Sequence, residues 1–235
     1  MNTFSWKKIG LGVAVIGIIA FGIFYFTTST GSKPGPSYIN PAFGEYISSY
    51  TAGVVSSGTT VRIVLATDAV DSSMIGQENS TRLFSFSPSI DGKTVWLDRR
   101  TVEFRPDKRL ISGQIYEVSF GLSKLMPEVA SELSTFVYTF QVMPQNFEIG
   151  VDNVKPYVKT ELKRQKIEGN LYTADVAEKD VVEKMLTPRQ EGNTLKITWT
   201  HNSDGKQHAF VVEDVVRKDK ASEVTLLQCE LKVWV

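Results

Sequence analysis

Two histidines, His201 and His208, are the only imidazoles in the chain, and they flank Asn202-Ser203-Asp204-Gly205. With Asp204 and Gly205 as the central pair of a type I′ turn, His201 falls directly opposite His208 on one face of a hairpin. Two ring nitrogens so placed are weak candidate ligands for a divalent ion. A usable site needs a third or fourth ligand. Asp204, the only carboxylate close by in sequence, is committed to the turn. Two partly exposed hairpin histidines are the plainer reading.

The carboxylates offer less. Asp68 and Asp71 lie in a polar loop and could begin a calcium site, yet no EF-hand spacing accompanies them. Asp98 and Glu103 flank Arg99 and Arg100, which points to a solvated charge cluster. No G-x-S-x-G elbow or P-loop pattern is present, and Cys229 lies far beyond His208 in a segment of strand character. The expectation is a chain with no catalytic residue, no cofactor and no resident metal, and therefore not an enzyme.

The elements that must position these residues are mostly strands. The hairpin register sets Trp199 against Phe210 and Ile197 against Val212 on one face, and Lys196 against Glu213 on the other. Apolar meets apolar and opposite charges meet, as cross-strand pairs require. Upstream, Thr173 to Leu186 suits a short helix ending before Pro188, with Asp175 as N-cap.

From Val54 to Val142, short alternating segments are separated by turns at sandwich-like intervals. Val61, Ile63 and Leu65 share one face. Leu83 to Phe86, Val95 with Leu97, and Val102 with Phe104 follow, with turns at Ile90 to Lys93 and at Arg105 to Asp107. Tyr116, Val118 and Phe120, and then Phe136, Tyr138, Phe140 and Val142, give the clearest alternation. Leu110, Gly113 and Tyr116 have the spacing of a tyrosine corner, in which a tyrosine entering a strand reaches back to an upstream backbone group. The fold class is therefore all-β, with tandem immunoglobulin-like β-sandwich domains. The second domain carries a short helix and is incomplete, because few residues follow Val224, Leu226 and Leu227. The chain reads as the front end of something longer.

A chain of 235 residues exceeds the usual domain size of roughly 100 to 200. Its formal charge is zero, and no stretch interleaves Lys or Arg with aromatics, so nucleic acid is not an expected partner. A single cysteine excludes an internal disulfide and a four-cysteine zinc site. Ile9 to Phe26 is an uninterrupted run of apolar residues and glycine behind Lys7 and Lys8. As a helix it spans about 27 Å, near the lower limit for crossing a bilayer. The flanking lysines place the N-terminus in the cytoplasm and the body outside. A cleaved signal peptide is the other reading. The expected divisions are 1–30 for the cytoplasmic tip and transmembrane anchor, 31–41 for a Pro/Gly/Ser spacer, 42–145 for the first sandwich and 146–235 for the second.

Four blocks carry a resemblance: Pro41-Ala42-Phe43-Gly44-Glu45-Tyr46-Ile47-Ser48, Phe86-Ser87-Pro88-Ser89-Ile90-Asp91-Gly92-Lys93, Thr101-Val102-Glu103-Phe104-Arg105-Pro106, and Gly113-Gln114-Ile115-Tyr116-Glu117-Val118. In this order they resemble the N-terminal domains of bacterial α2-macroglobulin-like proteins. The latter blocks also resemble bacterial Ig-like domains of the surface-layer type. The resemblance spans roughly Ser37 to Leu227. It implies an envelope-attached protease trap built from sandwich domains, with a bait segment and often a thioester. The thioester pattern C-x-E-Q is absent, since Cys229 is followed by Glu230, Leu231 and Lys232. The expected role is thus the anchoring and scaffold portion of such an inhibitor, held in the inner membrane with its body on the periplasmic side. Its partners would be the membrane and proteases or other envelope proteins. An Ig-like adhesion or envelope-binding module is the alternative, and an envelope hydrolase a distant third.

Overall fold

The computed structural model describes residues 39–226 and the backbone of 232–234. The run Ile9 to Phe26, most of the spacer, Leu227 and Cys229 lie outside the described residues. Among the described residues no helix is long and apolar enough to cross a membrane.

The first module begins with a 3-10 turn at Pro41–Glu45, capped by the Asn40 side chain. Eight strands follow: β1 Ile47–Tyr50, β2 Gly53–Val55, β3 Val61–Leu65, β4 Phe84–Ser87, β5 Gly92–Trp96, β6 Thr101–Pro106, β7 Ile115–Gly121 and β8 Thr135–Val142. One sheet has the order β1-β3-β6-β5, the other β2-β8-β7-β4. With β1 as strand A and β2 as a short second half of it, this is the A-B-E-D and G-F-C arrangement of an Ig-like sandwich. Period-2 alternation builds the core directly: Val61, Ile63 and Leu65 face Tyr116, Val118, Phe120, Phe136, Tyr138, Phe140 and Val142, all buried. Trp96 is buried among them.

Two local readings need correction. Of the residues expected to form turns at Ile90 to Lys93 and Arg105 to Asp107, Gly92 and Lys93 instead pair with Pro106 and Arg105 in the β5–β6 hairpin, while Ile90, Asp91 and Asp107 lie outside the strands. Gly92 permits this, because the Phe104 ring lies where a Cβ would sit, 2.7 Å from its Cζ atom.

The second module contains β9 Phe147–Val158, β10 Glu161–Thr173, α1 Lys179–Glu183, β11 Arg189–Gln190, β12 Asn193–Thr194, β13 Ile197–His201, β14 Gln207–Val216, β15 Glu223–Thr225 and β16 Lys232–Trp234. The large sheet has the order β13-β14-β10-β9 and the small one β12-β11-β15-β16. Ile167 and Leu171 of β10 and Phe210, Val212 and Val215 of β14 bury against Val182 and Leu186 around α1 and against Val224 and Leu226. The residues Arg189–Gln190 and Asn193–Thr194 are too short and too polar to announce a sheet in sequence, yet they pair with β15 and with each other. In β14 the inward parity changes between Val212 and Val215. Asp214, at φ 59°, takes up the extra residue as a bulge.

The hairpin has Trp199 opposite Phe210, Ile197 opposite Val212 and His201 opposite His208. Its turn differs from the type I′ expectation. Gly205 N donates to Asn202 O, which centres the tight turn on Ser203 and Asp204. Only Gly205 has positive φ, at 65°. A type I′ turn centred on Asp204 and Gly205 needs positive φ at both. Asp204 avoids it, and its carboxylate accepts from Lys206 N at 2.9 Å instead. The four-residue loop keeps the same register because it adds one residue to each side.

At the centre of the large sheet Gly169 pairs with Phe210. A Cβ there would lie 2.3 Å from Gly150 O and 2.6 Å from Phe210 Cζ, so backbone and ring occupy its place. Gly169→Val is expected to cost about 2–3 kcal/mol through overpacking. Urea unfolding of the full chain checks this, and an unchanged midpoint would contradict the packing described.

Candidate functional site

The histidine pair and the polar joint between the two modules lie at opposite ends of one short segment, residues 174–183. That segment leaves β10, crosses under the β13–β14 loop, where Ala177 N donates to Gly205 O at 2.9 Å, and ends in α1.

His208 is fully buried, 0 % exposed, and the His201 side chain is largely covered. This corrects the expectation of two partly exposed rings. Trp199 stacks on His201 with centroids 6.0 Å apart, and the two imidazoles meet edge to face. Their Nδ1 atoms are 2.8 Å apart, and His201 Nε2 is 3.1 Å from Glu183 Oε1 on α1. A carboxylate only accepts, so His201 Nε2 carries a proton; neutral His201 then accepts at Nδ1 from His208 Nδ1–H. His208 Nε2 is left a bare, buried nitrogen without a partner among the described residues.

As placed, the rings form a hydrogen-bonded relay: the two Nδ1 atoms face each other, and Glu183 engages the far nitrogen of His201. Among the described residues no group of three or more His, Cys, Asp or Glu converges as a metal site. The relay can pass a proton between its rings, but no substrate reaches His208 without opening the hairpin. Burial, with the neighbouring His201 ring, pushes the His208 pKa down, against smaller opposing effects of Asp204 and the Gly205 backbone.

At the other end stands Asp175. It is not the N-cap expected from sequence; the helix starts at Lys179, with Glu178 in the cap position. Asp175 is 1 % exposed and accepts from Ser56 Oγ and Ser57 N, both at 2.6 Å, in the β2–β3 loop of the first module. Gln145, between the modules, clasps the same residue, accepting from Asp175 N at 2.9 Å and donating to Asp175 O at 3.0 Å. Arg109 pairs with Glu178. Burial alone would raise the Asp175 pKa; the Ser56 hydroxyl and the Ser57 and Val176 amides outweigh it and hold the carboxyl below its usual range.

Arg109 sits on the crossover between β6 and β7, where the tyrosine-corner residues also lie. Tyr116 Oη accepts from Ile111 N at 3.4 Å. Leu110 is buried and donates from its backbone to Ser57 O at 2.8 Å. Gly113 takes φ 74°. The corner thus supports the loop that presents Ser56 and Ser57 to Asp175. Sequence reasoning missed this role of Asp175, whose only signal was a carboxylate followed at once by Val176 and Ala177.

The other carboxylates singled out from sequence lie in the first module. Asp68 faces Arg99 at 2.9 Å and Arg100 at 3.8 Å, and Asp71 precedes a 3-10 turn without capping it. Asp98 accepts from the amides of Arg100 and Thr101, both at 2.7 Å. Glu103 corrects the solvated-cluster reading. It is 2 % exposed and is held by Arg62, by Arg105 at 2.6 Å and by Thr60 at 2.9 Å. Burial raises its pKa, and these donors lower it further than burial raises it.

No family model matches the chain, and no curated protein matches it. Among solved structures, an L,D-transpeptidase from Mycobacterium tuberculosis H37Rv aligns at TM-score 0.31 and 11% identity, over 81% of this chain and 80% of that one. L,D-transpeptidase 3 from the same species, with a faropenem-derived adduct, gives TM-score 0.31 and 11% identity over 82% and 81%. Domains 4–9 of the surface layer protein SbsC give TM-score 0.21 and 12% identity over 86% of this chain and 30% of that one. Likeness this slight carries no argument about activity.

Two outcomes follow from the site. Asp175→Ala strands the buried Ser57 amide and is expected to cost about 1.5–3 kcal/mol at pH 7. Because the folded pKa is depressed, the Asp175 contribution is present above the unfolded value of about 3.9 and is lost as pH falls through the folded value. Urea unfolding at pH 7 and pH 3 should therefore show the variant's deficit shrinking in acid. For His208 the depressed folded pKa means that stability falls as pH drops below the unfolded value of about 6.5. In His208→Leu that loss between pH 7 and 5 should be reduced, and ¹⁵N NMR of the native rings should show His208 as the Nδ1–H tautomer.

Proposed function

We propose that this chain is a non-catalytic scaffold of the cell envelope, two β-sandwich modules held in a defined mutual arrangement on the extracytoplasmic side of a membrane. The observation that carries the reading is the Asp175 joint. A buried carboxylate with two 2.6 Å bonds across the modules is a costly group to place in a loose linker, since leaving it unpaired forfeits its hydrogen bonds. It suits a joint whose geometry matters. The buried groups nearby are spent on holding loops together.

The rest of the reading rests on sequence. The apolar run Ile9 to Phe26 supports retention in the inner membrane, and the motif blocks from Pro41 to Val118 support the scaffold portion of an α2-macroglobulin-like protease inhibitor. The same blocks leave an Ig-like adhesion module as the alternative.

Spin labels placed on the two modules in a Cys229→Ala background test the scaffold reading by double electron–electron resonance. A single narrow distance distribution is expected, broadening in Asp175→Ala. A broad distribution in the parent chain would remove the basis for a scaffold. In-cell cross-linking separates the two contexts: capture of proteases supports the inhibitor, and capture of surface components alone supports adhesion.

A further inference from the structure

The β9–β10 hairpin ends in exposed apolar residues. Val158 and Leu162 are 55% and 51% exposed, beside Tyr157, whose hydroxyl accepts from Asp214 N at 2.9 Å. A tip in water gains nothing from valine and leucine, and exposed apolar clusters ringed by polar groups mark interaction surfaces.

The same tip concentrates positive charge. Between residues 155 and 166 stand Lys155, Lys159, Lys163, Arg164 and Lys166 against Glu161 alone, in a chain of formal charge zero. The loop after β14 adds Arg217, Lys218 and Lys220 against Asp219, and Arg217 N donates to Lys163 O at 2.8 Å, joining loop to hairpin. Lys155 and Lys166 share Glu168, Arg164 pairs with Asp214, and Lys218 with Glu191. Lys159, Lys163, Arg217 and Lys220 have no ion-pair partner among the described residues. Leu162, Lys163, Arg217, Lys218 and Asp219 line an open concavity of about 630 Å³.

Strand addition is a poor account of this surface. The free edge of β9 carries Lys155 and Pro156, and its pairing with β10 is interrupted twice by register shifts; these are devices that blunt an edge against another strand. A soluble polyanion explains the cations and leaves the apolar tip without use. Cations around exposed apolar side chains complement an anionic lipid surface, where apolar groups enter the headgroup boundary and Lys and Arg meet phosphates.

We infer that the β9–β10 tip, with the 217–220 loop, docks on an anionic bilayer, Val158 and Leu162 entering the interface and the unpaired cations binding lipid phosphates. This contact is separate from the anchor expected at Ile9 to Phe26, and the experiment must read the tip itself. The full chain, as Cys229→Ala with Thr160→Cys carrying an environment-sensitive fluorophore, is reconstituted in nanodiscs of phosphatidylglycerol or phosphatidylcholine containing spin-labelled quencher lipids. Quenching should be about threefold or more greater in the anionic discs, and should weaken with salt. It should be lost in Val158→Asp/Leu162→Asp with an unchanged circular dichroism spectrum, while a label at Ser131→Cys reports no lipid. Equal quenching in both lipids, or none, overturns the inference. So does a tip response to polyphosphate that survives the apolar substitutions, which would assign a soluble polyanion instead.

Discussion

A carboxylate buried between two sandwiches sets the terms for the rest of this structure. Asp175 belongs to the second module by sequence, but its charge is satisfied by the first, through Ser56 and Ser57. The contact is costly to break, because an ionised group this deeply covered has no water to fall back on. The loop that supplies the two serines is itself tied to the β6–β7 crossover through Leu110, and that crossover is supported by Tyr116. A residue of the first core thus determines where the donors to a residue of the second will stand.

The same segment that carries Asp175 runs on to Glu183 and the histidine pair. Its path is held by backbone bonds to the hairpin loop, so the joint and the relay share a covalent and hydrogen-bonded route of only a few residues. Both are built from ionisable groups, and both lose stability on acidification: Asp175 when its carboxyl takes a proton, His208 when the unfolded ring takes one that the buried ring resists. Their windows differ, and the imidazole acts first as pH falls.

The inward faces of the first module's main strands were legible because its core is made by alternation. Val61, Ile63 and Leu65, or Phe136, Tyr138 and Phe140, state their inward face without reference to anything distant. The hairpin register at Trp199 and Phe210 was legible for the same reason, though the turn type was not. A four-residue loop and a two-residue loop nested within it give the same cross-strand partners, and the choice between them lay in the φ that Asp204 adopts. What sequence could not show was everything that depends on long-range pairing of polar groups. Asp175 sits where a helix cap would sit, and only the arrival of Ser56 and Ser57, far away in the chain, gives its carboxylate another occupation. Glu103 next to two arginines looked like surface. Its burial came from Arg62 and Arg105 folding over it from β3 and its own strand. The short strands of the small sheet have no alternation to detect.

Among the described residues, buried charges and buried neutral polar groups are treated differently. The buried charges, at Asp175 and Glu103, have donors from more than one segment and are therefore satisfied. Four buried side-chain polar atoms, Trp96 Nε1, Tyr138 Oη, Trp199 Nε1 and His208 Nε2, have no partner among the described residues, and each is on a group that can stay neutral. At the β9–β10 tip, apolar side chains and cations without an ion-pair partner among the described residues stand together in solvent. Nothing in the fold requires valine and leucine at that tip: the core of the module is complete without them, and the hairpin ladder is made by the backbone. Val158 and Leu162 lie outside the module's core cluster, so an explanation for them is sought in what the tip touches.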